Sequence, residues 1–546
     1  MNSIELVLAM LLAVVVSGYL VRLLPLGLPL PLVQVGLGAV IAGLLNHGVT
    51  LEPQTFFLLF LPPLLFLDGW RIPKDGLLRD RWQILALALG LVVFTVIGAG
   101  FLIHWMIPAM PLAVAFALAA VVSPTDPVAV SSIGSRAPIP KRLMHILEGE
   151  SLLNDATGLV CFRFAVAAAL TGNFSLASAS VTFLWLALVG VGIGVLVTGT
   201  VSFLQRGLSR KFGEESGSTI LISLLIPFGA YLLAERVHGS GILAAVAAGI
   251  TMSYVELSGR ALATTRVQRA AVWNTVQFAL NGIVFVLLGE QLPGILKAAM
   301  ASMEESGHLN PLWLVVYALM INLCLAVLRF SWVWVSLWLP RLWAQRRGES
   351  RDKPNWRLIL ATTLAGVRGA ITLAAVLTLP LLMPDDSPFP ARELVVFLAA
   401  TVILMTLLVA SIALPVLLKG LQLPPEPAPQ REEDHARHKA AIKAIAAIEN
   451  ALHDLVENAT AADVAICTQA AARLTAHYQS LLSGDANSDR EAGQLRKADQ
   501  AENALRLAAL EAERTEIFKL ARHFKISDEI SRKLVREVDL MEARYR

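Results

Sequence analysis

The chain has 546 residues, of which 56% are hydrophobic and only 16% are charged, with a formal net charge of +3. Soluble domains contain roughly 45–50% apolar and about 25% charged residues. The composition therefore excludes a string of soluble domains and indicates a polytopic membrane protein. The net charge is small, and the basic residues fall in short clusters between apolar runs and not on one face. We therefore expect no nucleic-acid partner.

Apolar runs predict the fold, because a bilayer core of about 30 Å requires about 20 apolar residues per helix. The expected fold is an all-α polytopic membrane protein with about 13 transmembrane helices. The third and ninth runs are short, which leaves a broken or re-entrant helix open there. The predicted span cores are residues 4–20, 28–45, 56–67, 84–103, 112–130, 152–170, 183–203, 220–233, 242–252, 272–288, 312–339, 358–379 and 394–414.

Lysine and arginine alternate between the loops and so predict the orientation. One set of loops carries roughly twenty basic residues and the other set carries about three, Arg236, Lys297 and Arg392. The rich set marks the cytoplasmic side. With an odd number of spans, the N-terminus is expected outside and the C-terminus in the cytoplasm. Arg22 follows the first run and no basic segment precedes it, so this run is predicted to be a retained span.

After Leu423 the sequence changes from apolar runs to a Pro-rich stretch and then to a segment rich in Ala, Glu and Arg, which predicts three regions. We expect a transmembrane domain at 1–423, a Pro-rich linker at 424–430 and a helical cytoplasmic tail at 431–546. The tail has helical apolar spacing and a predicted break at 483–485. It is expected to form a solvated hairpin or bundle, and a regulatory or partner-binding role is the alternative.

Asp126 lies between two prolines inside an apolar span, in the sequence Ser123-Pro124-Thr125-Asp126-Pro127. The prolines remove backbone donors and leave the carbonyls of Ala120 and Ser123 without helical partners. Freed carbonyls beside a carboxylate form an oxygen-rich site that suits a small cation. The alternative is a proline kink capped by Asp126.

The next span opens with Glu148-Gly149-Glu150-Ser151-Leu152-Leu153-Asn154-Asp155. The spacing of four places Ser151 beside Asp155 and Glu150 beside Asn154 on adjoining faces of a helix. Asp155 lies deep in an apolar stretch, where burial favours its neutral form, so a proton and a cation can compete for it. Glu148 either belongs to this site or only flanks the loop.

A second interrupted span lies in the other half of the chain, at Gly366-Val367-Arg368-Gly369. One broken helix in each half is the sign of an inverted-repeat transporter core. Arg368 is expected to neutralise the crossing of the half-helices and to pair with Glu150. Asp68, near the end of its span, either binds the ion or anchors the helix. Four further charges in apolar runs are expected to be structural, the arginines paired with acids or reaching the interface: Arg163, Arg329, Glu235 and Glu290.

These segments together resemble the sodium/proton exchanger family of monovalent cation/proton antiporters, and within it a bacterial subgroup with a cytoplasmic tail. The resemblance covers roughly residues 1–420. It rests on four segments in this order: Leu61-Pro62-Pro63-Leu64-Leu65-Phe66, residues 123–127, residues 148–158 and Gly366-Val367-Arg368-Gly369-Ala370.

The resemblance implies a six-helix core that moves against a dimer-forming domain, with elevator-like alternating access in a homodimer. It implies that Asp155 binds the ion and the proton, and that Asp126, Ser151 and the backbone oxygen of Thr125 complete a Na⁺ site. Asn154 before Asp155 implies electroneutral exchange. It also implies that Glu150 and Arg368 form a buried ion pair. Asp68 stands where many relatives have Glu, which leaves its contact with the ion open.

The expected function is exchange of Na⁺, with Li⁺ or K⁺ as alternatives, for H⁺ across the inner membrane, supporting pH homeostasis without a cofactor. A cation channel is the first competing hypothesis, but no repeated filter loop is visible. An intramembrane hydrolase is the second, with Ser151 as nucleophile and His145 or His104 as base. Ser151 lacks a glycine-rich elbow, so we expect no enzyme activity.

Overall fold

A computed structural model gives the architecture of the chain. It describes residues 3–23, 28–45, 53–72, 81–127, 130–131, 141–172, 176–257, 262–305, 312–346, 356–419, 429–457, 461–483, 489–523, 525 and 528–545. Within these residues the regular structure is helical, apart from one isolated bridge between Leu382 and Pro388. The chain separates into two compact units, Met1–Leu421 and Gln422–Arg546.

The first unit contains fourteen helices among the described residues. They are α1 (Ser3–Leu23), α2 (Leu30–Leu45), α3 (Pro53–Arg71), α4 (Arg81–Met106), α5 (Leu112–Val122), α6 (Lys141–Thr171), α7 (Leu176–Phe212), α8 (Ser216–Arg236), α9 (Gly241–Leu257), α10 (Ala263–Glu305), α11 (Leu312–Arg346), α12 (Trp356–Leu364), α13 (Ala370–Leu377) and α14 (Arg392–Leu418).

Each predicted span core falls on one helix or on an interrupted helix, and the all-α membrane fold is confirmed. Seven described helices are long and apolar enough to cross a membrane, and four further apolar helices are shorter. The count of thirteen crossings stays a prediction. The third and ninth spans are the unbroken helices α3 and α9, so the broken-helix alternative is wrong there. In α3 the helix continues through Pro62 and Pro63.

The helices of this unit pack in two groups. The crossing group contains α4–α6 and α11–α14, and the flanking group contains α1–α3 and α7–α10. Within the flanking group, α10 packs along α2, and α9 packs along both α3 and α7. The groups meet where α14 contacts α10 and where α3 contacts α6 and α13. Helix α6, which carries the candidate ion site, therefore borders the flanking group.

Glycines allow the flanking helices to approach closely. A side chain at Gly38 of α2 would collide with the backbone of α10, and one at Gly289 of α10 would collide with the backbone of α2. Gly69 of α3 and Gly249 of α9 are related in the same way. Small residues are the usual means of helix association in lipid, where apolar burial gives little driving force.

Helix α4 contains a π-helical segment, Ala86–Leu91. The indole Nε1 of Trp332 in α11 donates a hydrogen bond of 3.1 Å to the carbonyl oxygen of Ala86. The Trp332 ring also packs against Phe94, with ring centroids 5.3 Å apart. Because a π-turn disturbs the regular pattern of backbone bonds, an external donor stabilises it. The segment thereby ties α4 to the helix that carries Arg329.

The second unit contains four helices among the described residues: α15 (Pro429–Glu457), α16 (Ala461–Ser483), α17 (Asp489–Arg522) and α18 (Asp528–Tyr545). Leu510 and Ile517 of α17 bury against Val538 of α18. Arg514 pairs with Asp539, at 3.0 Å, and with Glu542. Residues 424–428 of the predicted linker and residues 484–485 of the predicted break lie outside the described residues, while residues 429–430 already belong to α15.

Candidate ion site

Two interrupted helices cross in the middle of the first unit. Helix α5 ends at Val122 and residues 124–126 are non-helical, while α12 and α13 are separated by the non-helical residues 366–369. The backbone N–H of Asp126 donates a 2.7 Å hydrogen bond to the carbonyl of Val367. Gly369 lies directly against the Asp126 carboxylate, where a larger side chain would collide with it. The prolines and glycines therefore produce the two breaks and the close approach.

Thr125 connects the first break to α6. Its hydroxyl donates to Glu150 Oε1 at 3.1 Å and accepts a bond from Asn154 Nδ2, also at 3.1 Å. The residues are all buried, with Asn154 and Glu150 each only 1% exposed. The predicted stripe of Glu150 and Asn154 thus faces the crossing. Because Thr125 uses both its donor and an acceptor site, it fixes the rotamers of both partners.

Glu150 forms its ion pair with Arg329 of α11, which corrects the expected pairing with Arg368. The guanidinium of Arg329 donates to both carboxylate oxygens, at 2.5 and 2.9 Å, and its Nε donates to the carbonyl of Thr362 at 3.2 Å. Both side chains are almost fully buried. This is the bidentate geometry for which arginine is suited. The expectation that Arg329 pairs with an acid is confirmed, and so is that for Arg163, which pairs with Glu235.

Arg368 instead satisfies backbone oxygens that the breaks release. Its Nε donates to the carbonyl of Val122 at 2.8 Å, and its Nη1 donates to the carbonyl of Gly366. Its own N–H donates to the hydroxyl of Thr406 in α14 at 3.2 Å. An unpaired carbonyl is costly where water is absent. A guanidinium has only donors, so Arg368 is suited to hydrogen-bond the carbonyls at the two helix breaks.

Asp155 lies on the face of α6 next to this stripe and is 6% exposed. It is near enough to Asp126, Asp68 and Glu150 for their charges to act on it. Two buried oxygens of the same region, Ser123 Oγ at the end of α5 and Asn154 Oδ1 next to Asp155 in sequence, have no hydrogen-bond partner among the described residues. Oxygens of this kind are available to a cation or to water.

A cavity of about 460 Å³ reaches the same face of α6 from one side. Ser151 lines it, one helical turn from Asp155, together with Glu148 and with Asp68 from α3. Two amides of α10, Asn274 and Gln277, also line the cavity and accept hydrogen bonds from Arg71. The structure therefore brings Ser151, Asp68 and Glu148 to one cavity, whereas Thr125 and Asn154 point to the helix crossing.

A second cavity, of about 490 Å³, lies farther along α6. It is lined by Leu159, one turn beyond Asp155, and by Arg163, two turns beyond it. The ends of α8, α9 and α13 complete it through Glu235, Ile242 and Thr378. Ser151 and Leu159 are eight residues apart, or about 12 Å along a helix. Asp155 lies midway between them.

A membrane domain with two crossed, interrupted helices and a buried carboxylate between two cavities defines the class of secondary transporters. The transmembrane family described as sodium/hydrogen exchanger matches residues 10–420. The chain belongs to this family.

Individual relatives agree with this assignment. An uncharacterized Na⁺/H⁺ exchanger of Escherichia coli K12 is 40% identical over 98% of both chains. A sodium, potassium, lithium and rubidium/H⁺ antiporter of Bacillus pumilus is 43% identical over 76% of this chain and 61% of its own length. The sodium proton antiporter MjNhaP1 of Methanocaldococcus jannaschii, solved at pH 8, has the same fold: the TM-score is 0.58 at 18% identity, over 77% of this chain and 99% of that one.

Proposed function

We propose that the protein exchanges Na⁺ for H⁺ by secondary antiport, with Asp155 as the carboxylate for which the two compete. The chain's membership of the sodium/hydrogen exchanger family supports antiport as the activity. Asp126, Ser151 and the backbone oxygen of Thr125 complete the cation site, and Asn154 contributes beside Asp155. A buried carboxylate holds either a proton or a cation, so release of one allows binding of the other.

The position of Asp155 between two cavities carries this proposal. Ser151 lines one cavity and Leu159 the other, each one turn away from Asp155 on the same helix. Small movements of α6 against the flanking group would expose the carboxylate to one cavity or the other. This supports alternating access of the elevator type, in which the crossing group moves. A channel would need a continuous pore, which the buried Leu159 and Phe162 oppose.

The stoichiometry we propose is one cation for one proton. Asn154 is neutral and already engaged with Thr125, so Asp155 is the single carboxylate of that pair that can exchange charge. The role of Asp68 is to attract cations along the cavity wall. Glu150, Arg329 and Arg368 act as structural charges that hold the crossing together.

The second candidate function differs only in the cation that is transported. The Bacillus relative is named for sodium, potassium, lithium and rubidium, so K⁺/H⁺ exchange at the same site is the alternative. Carboxylate, hydroxyl and carbonyl oxygens bind both ions, and the number and rigidity of the ligands decide between them. We propose Na⁺ and Li⁺ as the preferred cargo, with K⁺ tested in the same assay.

The proposed setting is the inner membrane of a bacterium, with the N-terminus outside and the tail in the cytoplasm. The loop charges support this orientation. It places the cavity lined by Asp68 and Glu148 on the cytoplasmic side. A homodimer is proposed from the family resemblance, and cross-linking in native membranes would test it.

Proton flux in proteoliposomes tests the proposal. A pH-sensitive dye is followed while Na⁺, Li⁺ or K⁺ is added, for wild type and for Asp155→Asn. Asp386→Asn is the matched control, because it makes the same chemical change at an exposed loop residue whose positive φ suits Asn. We expect cation-driven flux in wild type and in the control, and none in Asp155→Asn.

The outcomes separate the competing functions. Normal flux in a folded Asp155→Asn variant would remove the central assignment. Cation-driven flux that survives Ser151→Ala, together with its loss in Asp155→Asn, argues against a hydrolase that uses Ser151 as its nucleophile. Addition of a K⁺ ionophore to clamp the voltage tests the stoichiometry, because the ion gradients at which an electroneutral exchange stops do not depend on the membrane potential.

A further inference from the structure

The second cavity holds an ion pair that the transport site does not use. Nη2 of Arg163 on α6 lies 3.4 Å from Oε1 of Glu235 at the end of α8. Both residues line the cavity, and their side chains are 50% and 35% exposed. Arg163 belongs to the crossing group and Glu235 to the flanking group. The pair therefore joins the two groups.

Glu235 is held in place from its own side of the cavity. The same Oε1 accepts a 3.2 Å hydrogen bond from the backbone N–H of Gly241, at the first residue of α9. A carboxylate at a helix N-terminus is stabilised by the unpaired N–H groups there. Glu235 is thus a fixed acceptor on the flanking group, whereas Arg163 moves with α6.

Two apolar side chains of α6 lie between this pair and Asp155. Leu159 and Phe162 are buried on the intervening turn of α6, with exposures of 6% and 4%. They separate Asp155 from the second cavity, whereas the polar Ser151 separates it from the first. Access through the second cavity therefore requires α6 to shift relative to α8 and α9, and this shift must change the distance between Arg163 and Glu235.

We propose that Arg163 and Glu235 are positioning residues that form a latch, which favours the state in which the second cavity is closed to Asp155. The inference rests on the proposed alternating access. The latch acts through α6 and touches neither the cargo nor Asp155. Exposed ion pairs contribute little energy, so it biases the equilibrium between the two states by about two- to fivefold and does not lock it.

Thiol labelling tests the bias without any transport measurement. In a chain with its three cysteines replaced by Ala, Thr378→Cys reports on the second cavity and Met144→Cys reports on the first. We expect Arg163→Gln to raise the labelling rate of Thr378→Cys about two- to fivefold and to lower that of Met144→Cys. Arg163→Lys, which keeps the charge, should label like wild type.

The direction of the two changes distinguishes a latch from a loosened fold. Unchanged rates at both positions, or a rise at both, would overturn the proposal. A rise at Thr378→Cys with a fall at Met144→Cys supports the latch even if no cation exchange is found, and the reverse pair of changes would overturn it. Failure of the latch is therefore separable from failure of the proposed function.

Cross-linking tests whether the pair must separate during transport. Arg163→Cys and Glu235→Cys are combined in the same cysteine-free chain and joined with a short thiol-specific reagent that a reductant cleaves. We expect cross-linking to stop cation-driven proton flux and reduction to restore it. Flux that continues at the wild-type rate in the fully cross-linked protein would refute the latch.

Discussion

The buried contact between Glu150 and Arg329 predicts a strong energetic coupling that Glu150 and Arg368 should lack. Removing one partner of a buried pair leaves an uncompensated charge, at a cost of about 3–5 kcal/mol. With both side chains at most 3% exposed, we expect Arg329→Gln to fall in this range. Glu150→Gln should be similar, because an amide oxygen accepts at most one side of the bidentate contact and carries no charge to balance the buried guanidinium of Arg329.

The double variant reveals the coupling. Once Glu150 is already Gln, the further change Arg329→Gln removes a charge that no longer has a partner, so its added cost should be well below its cost in the wild-type chain. We expect a coupling energy of about 2–3 kcal/mol for Glu150 with Arg329, the upper part of the range for residues in contact. For Glu150 with Arg368 we expect less than about 0.5 kcal/mol, because Arg368 donates to carbonyl oxygens.

Reversible unfolding in mixed detergent micelles measures these free energies for the wild type, three single variants and two double variants. The cycle with Arg368 is the control for the cycle with Arg329, since both are buried arginines next to the same crossing. A larger coupling for Glu150 with Arg368 would show that the carboxylate has the other partner, and additive effects in both cycles would refute an ion pair altogether.

Three other predictions concern the residues around the crossing. Gly366→Ala would place a methyl group 2.6 Å from Arg329 Nε, so it should reduce thermal stability and proton flux, whereas Gly36→Ala, with nothing within 4 Å, should change neither. Thr125→Val removes the hydroxyl that bonds to two buried partners, and it should lower the free energy of unfolding by about 1–3 kcal/mol. It should also raise the Na⁺ concentration for half-maximal flux, and Thr125→Ser should restore the wild-type value. Trp332→Phe loses the indole bond to the π-helical segment, and we expect a loss of about 1 kcal/mol in the free energy of unfolding, with no loss being the contrary result.

The sequence predicted the fold well because the bilayer imposes strict demands on the chain. Helix length, loop charge and backbone satisfaction leave few solutions for a run of apolar residues. The two breaks were predictable for the same reason, since Pro124, Pro127, Gly366 and Gly369 stand inside otherwise apolar spans. The expectation that the first break frees a carbonyl was sound, although Val122 is the residue whose carbonyl receives Arg368.

The partner of Glu150 could not be predicted with the same argument. Arg329 and Arg368 both lie in apolar runs, and sequence spacing does not show which one faces α6. From the sequence, only an acidic side chain was expected as the partner of Arg368. The helix breaks also leave backbone carbonyls without a donor, and these accept the hydrogen bonds of Arg368. The cavities were missed as well, because they are formed by residues from helices far apart in sequence. The signal available for this pair was the charge itself, since Arg163 stands inside the predicted span 152–170 and Glu235 just after the span 220–233.

The short distance between the two cavities has an electrical consequence. If water and ions fill both cavities, the transmembrane voltage falls mainly across the turns of α6 between Ser151 and Leu159, a length of about 12 Å and not the about 30 Å of the hydrocarbon layer. The field at Asp155 is then more than twice that of a uniform bilayer. Voltage would therefore act on the individual steps in which the carboxylate is charged, even though an exchange of one cation for one proton carries no net current.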